Sequence, residues 1–73
     1  MNEHKRVVLT TYLPSEKLAT GDVGTIVRVY RDGQALEVEF VALNGETLTV
    51  VTVEQSQVRP IEHREITHAW RLA

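Results

Sequence analysis

The sequence predicts an all-β domain. Two hairpin signals, Asp32-Gly33 and Asn44-Gly45, separate three segments rich in β-branched residues, and the middle segment alternates apolar and acidic side chains. At 73 residues the chain is one domain near the lower limit for independent folding, where only about 60% of the unfolded chain's surface is buried. With no cysteine in it, disulfides, thiolate metal sites and thiol catalysis are all excluded. Stability must then come from a compact apolar core, from a partner, or from both.

Arg6 to Tyr12 reads as an opening strand with Val8 inward. Leu13 to Thr20 is a long first loop, because Pro14 cannot sit inside a central strand. Gly21-Asp22-Val23-Gly24 is a tight turn into the next strand. Gly21 takes a conformation that a side chain resists, Asp22 accepts a bond from a backbone N–H, and Gly24 admits a close crossing above the strand. A phosphate-binding loop is the functional alternative, but the strand–loop–helix context and lysine of such a site are missing.

Val23 to Arg31 and Ala35 to Val41 form the first predicted hairpin. With Asp32-Gly33 at the turn, Val29 faces Leu36, Val27 faces Val38 and Thr25 faces Phe40, while Arg28 meets Glu37 on the wet side. That opposite-charge pair is worth about 0.2–1 kcal/mol. Thr47 to Val53 returns after Asn44-Gly45 and places Val38 opposite Val51 and Leu36 opposite Val53. Leu48 and Val50 then point outward with Val41, so either both faces are covered or a bulge near Val50-Val51 switches them; the bend is preferred, since a small barrel needs one to close.

Glu54-Gln55-Ser56-Gln57 is suited to one helical turn, and Val58 to Ile61 to a short last strand with Pro60 at its edge. Five short strands, a long first loop and a turn before the last strand describe a small SH3-like barrel over residues 1–61. Residues 62–73 form a C-terminal extension in which Ile66, Ala69 and Trp70 have helical spacing. A helix that short must dock on something to be ordered.

The same residues bound the function. No apolar run approaches the roughly 20 residues that span a bilayer, and the three-residue run Val7-Val8-Leu9 is too short for a signal peptide. A soluble cytoplasmic protein is the expectation. His63 and His68 are five apart, so a helix would not align them as metal ligands, and nothing in the sequence requires His4 to approach them. No serine has a histidine–carboxylate setting, and no carboxylate pair has a burial signal, so neither a catalytic site nor a cofactor is expected.

Binding is the remaining class. Ile26, Tyr30, Val41, Leu48 and Val50 form an outward row in the simple register, and Trp70 adds an aromatic in the tail. A patch of that kind marks a protein contact unless Leu13 and Leu18 of the first loop, or the tail, cover it. Open sheet edges offer a second route through strand addition. A cognate protein is therefore the expected partner. A homo-oligomer held by the tail is an alternative, and so is nucleic acid bound through Arg28, Arg31 and Arg59. A net charge of −2 with scattered basic residues speaks against the last.

Leu13-Pro14, the stretch Gly21 to Val27, Leu36 to Phe40, Gly45 to Leu48 and Val58-Arg59-Pro60 together resemble a bacterial family of small proteins, domain of unknown function forty-nine twenty-six. The resemblance covers about residues 6–61 and implies an SH3-like barrel with no catalytic residues to carry over. Gly21 to Val27 also resembles, more weakly, the opening of KOW motifs, which implies the RNA- or ribosome-binding alternative. By analogy of fold and size, small stand-alone barrels serve as accessory subunits or as the antidote of a toxin–antitoxin or immunity pair.

Overall fold

The structure, a computed structural model, describes residues 2–61 and 65–66. Its strands are β1 (Arg6–Leu9), β2 (Val23–Tyr30), β3 (Ala35–Val41), β4 (Thr47–Glu54) and β5 (Val58–Pro60). They form one antiparallel sheet in the order β4-β3-β2-β1-β5. Short 3-10 turns at Pro14–Glu16, Arg31–Gly33 and Gln55–Gln57 interrupt the connections. Among the described residues, no ladder joins β4 to β5, so hydrogen bonding leaves the sheet open between its two outer strands.

Among the described residues no α-helix covers the sheet, so they bury its apolar face against itself. Every strand contributes to a single core: Val7 and Leu9 from β1, Ile26 from β2, Leu36, Val38 and Phe40 from β3, Val53 from β4, and Val58 from β5. Leu18 of the first loop is also buried there, with Leu13 packed against it. A short bridge pairs Leu13 with Leu18, so this loop plugs the core and leaves the outer face of β2–β4 uncovered by these two residues. Val8 is buried as well, but pleating turns it away from Val7 and Leu9, and it lies outside the core cluster. The inward residues of β1 are thus Val7 and Leu9.

The register of the first hairpin holds from Arg28↔Glu37 through Val29↔Leu36 to Tyr30↔Ala35, around Asp32 and Gly33, both with positive φ (57° and 91°). It shifts by one residue between Ile26 and Arg28, where Val27 is bulged out. Below that bulge the faces exchange. Ile26 pairs with Val38 and Thr25 with Glu39, so the expected pairings of Val27 with Val38 and Thr25 with Phe40 do not form. Gly24 comes to lie under Phe40: a Cβ there would stand 2.9 Å from Phe40 Cε1, 2.5 Å from Val38 Cγ1 and 3.0 Å from the Glu39 carbonyl. Glycine is needed because the crossing leaves no room for a side chain.

The second hairpin keeps Leu36↔Val53 and Val38↔Val51 as expected, but its irregularity is not near Val50-Val51. Gly45 N–H donates to Ala42 O and Ala42 N–H to Glu46 O, so the loop is Leu43-Asn44-Gly45 with Gly45 at φ 91°. This three-residue loop is one position out of step with the strands above it. The offset is absorbed between Phe40↔Thr49 and Val41↔Thr47, with Leu48 as the extra residue. At the far end of β4, Glu54 and Gln57 cap the 3-10 turn reciprocally, and Gln57 Oε1 accepts the Glu54 N–H at 2.8 Å.

Candidate functional site

Gly21 and Asp22 do structural work. Gly21 has φ 99°, Ala19 N–H donates to Asp22 Oδ2 at 2.9 Å, and Asp22 N–H returns a bond to Ala19 O at 3.0 Å. Gly21 N–H and Asp22 O also hold Leu9, which fastens the first loop to the end of β1. Among the described residues, no three His, Asp or Glu side chains converge as a metal site. No helix among them is long and apolar enough to cross a membrane.

The expected outward row divides into three fates. Ile26 does not belong to it: the Val27 bulge turns Ile26 into the core, where it is fully buried. Tyr30 does lie on the outer side, half-buried, in a polar cluster at the turn end of the β2–β3 hairpin. Its hydroxyl donates to Glu37 Oε2 at 2.9 Å, and the Arg28 guanidinium lies 4.9 Å from its ring centroid. The bond to Glu37 and partial desolvation raise the Tyr30 phenol above its ordinary pKa, and the nearby Arg28 charge opposes them.

Leu48 and Val50 are exposed, at 39% and 49%, beside Val41 at 49%. Leu43 at the tip of the loop is 85% exposed and extends this apolar corner beyond the residues that alternation pointed to. An apolar side chain beside Asn44-Gly45 in a hairpin loop was the available signal for it. Around the corner lie carboxylates: Glu39, which accepts the Thr47 hydroxyl at 2.9 Å, and Glu46 at the loop's return. Trp70 falls outside the described residues.

The three arginines come from different places in the chain's fold. Arg28 is on β2 beside Tyr30, Arg31 opens the turn after β2, and Arg59 is on β5 at the opposite end of the sheet. Arg59 grips Glu65 through two bonds of 2.8 and 2.6 Å. Beside this fork, an open groove of about 520 Å³ runs between Val8, Val23, Ile61 and Ile66.

The described residues thus make a small all-β domain of one five-stranded antiparallel sheet with an exposed apolar corner. The chain belongs to the family described as Domain of unknown function (DUF4926), whose model matches residues 3–60. That span takes in all five strands and stops before the tail. No curated protein and no solved structure matches the chain.

Proposed function

We propose that this domain is a non-catalytic protein-interaction module that presents the apolar corner of β3 and β4 to a cognate protein in the cytoplasm, as an accessory or antidote-type subunit. The observation that supports this reading is the exposure of Val41, Leu43, Leu48 and Val50 together at one corner. Scattered apolar residues are ordinary on a surface, whereas a grouped set rimmed by polar residues is what a partner desolvates. SH3-like curling of the sheet would keep this corner on the convex side, away from the core. A nucleic-acid reading has less support, because Arg28 stacks on Tyr30 and Arg59 is engaged by Glu65.

The test is co-purification from the native host, followed by calorimetric titration of the protein that is recovered. Leu43→Glu and Leu48→Glu should each weaken that binding at least tenfold, with an unchanged circular dichroism spectrum. Equal affinity in folded variants would remove the corner from the interface.

A further inference from the structure

The free side of β4 has a definite hydrogen-bonding pattern. Gln55 N–H donates to Gln34 O at 3.0 Å, which places that pair on the bonded side of the β3–β4 ladder. Backbone groups alternate along an antiparallel strand. Val53, Val51 and Thr49 therefore direct their N–H and C=O groups to β3, and Thr52 and Val50 direct theirs away from it. From Thr49 to Val53 this edge has no charge, proline or glycine, and the bulge at Leu48 interrupts only its beginning. Such an edge is a template for another strand.

We infer that two copies of this chain pair through β4, antiparallel and edge to edge, about a two-fold axis at Val51. Charge and pleat together choose the partner and the register. Paired residues must share a face, so the axis passes through a residue and not between two. An axis at Val50 sets Glu46 of one copy opposite Glu54 of the other, a like-charge pair. An axis at Val51 removes that clash. It sets Glu54 opposite Leu48, bonds Val50 to Thr52 in both directions, and brings the two half-buried Val51 side chains together. A parallel arrangement would stack the two Glu54 carboxylates. The strand is thus complementary to itself in the antiparallel orientation, and the Val51 axis is the one that pairs the uncharged stretch Thr49 to Val53 wholly with itself. The axis is perpendicular to the sheet, so both outer faces lie on the same side, with the two Leu43-Asn44-Gly45 loops at opposite ends of the seam. This pairing is independent of the proposed cognate partner.

The full-length chain tests it directly. Sedimentation equilibrium from micromolar to millimolar concentration should show the mass rising from 8.3 kDa toward twice that value; a small strand-to-strand contact makes a weak dimer. Thr52→Pro removes a donor that β3 does not use, and Thr52→Lys places a charge on the seam. Both variants should stay monomeric at every concentration while keeping the wild-type circular dichroism spectrum. The chain has no cysteine, so Val51→Cys reports the register. At the axis the two Cα atoms stand about 4.5 Å apart, within the range a disulfide spans. Mild oxidation should cross-link Val51→Cys and leave Thr49→Cys, about 13 Å from its symmetry mate, unlinked. A wild-type chain that stays monomeric at millimolar concentration overturns the inference. So does a dimer that persists in folded Thr52→Lys, or cross-linking that is equal at both positions.

Discussion

β5 and β4 are the two outer strands of one sheet, and they treat their outer sides differently. β5 is three residues long, contains Pro60 and carries Arg59 locked to Glu65. β4 runs for eight residues and has no proline and no charge before Glu54. Short length, proline and charge are the usual means by which a protein keeps an edge from pairing. One side of this sheet has all three and the other has a single bulge. With ten buried apolar residues among those described, the domain has little stability to spare, so an eight-residue edge guarded by one bulge is a feature to explain.

The comparison assumes a rigid centre between unlike edges, and the largest perturbations test that assumption. Phe40→Ala empties the position where the core crosses β2 and should cost about 3–5 kcal/mol, lowering the urea midpoint of the whole domain in one transition. Gly24→Ala attacks the same crossing from below. The added methyl meets the Glu39 carbonyl and Val38 as well as the ring, and overpacking of this kind costs about 1–3 kcal/mol. A Gly24→Ala variant as stable as wild type would show that β2 and β3 do not approach each other as described.

Proline distinguishes the two sides of β4 itself. Val51→Pro removes a bond to β3 and leaves a buried acceptor unpaired, at a cost of about 1–3 kcal/mol. Thr52→Pro, one residue on, removes none of the ladder bonds and should cost less in the same urea titration. Equal losses would mean that β4 has no free side.

Smaller effects are expected at β5 and on the outer face. Glu65→Gln should lower stability by no more than about 0.5 kcal/mol, because the two partners of the fork are 40% and 32% exposed, and added salt should shrink the difference. Tyr30 titrates above its ordinary value, so its hydrogen bond to Glu37 is intact below a pH of about 10. Its contribution is lost as pH rises through the folded value. In Glu37→Ala the tyrosinate absorbance at 295 nm should appear at lower pH than in wild type.

Element order was readable from turn chemistry and periodicity, and phase was not. Asp32-Gly33 set the pairing of Arg28, Val29 and Tyr30 correctly because the turn lies next to them. The pattern then failed at Val27, where Val23, Thr25, Ile26 and Val27 are β-branched on both faces and offer no alternation to follow. That is why Ile26 was expected outside and is buried. Gly24 held the missing information: a glycine two residues before Ile26 marks the face that Phe40 crosses. Asn44-Gly45 was recognised as a turn, but a dipeptide does not say whether its loop has two residues or three. The third loop residue moved the irregularity to Leu48. Leu48 and Val50 were nonetheless placed on the exposed side, since the register above the bulge came out right.

The pairing of β1 with β5 has a consequence in time. β2, β3 and β4 are joined by short loops and can assemble as soon as they are made, whereas Val7 must wait for Pro60. That pairing closes the longest loop in the sheet and so carries the largest closure entropy, and non-local pairings of this kind slow folding in general. On a ribosome the meander would stand ready with β1 held on one side only, and its apolar residues would stay partly bare until the chain had emerged through residue 60. Amide exchange started during synthesis would see the middle of the molecule grow quiet first and its seam last.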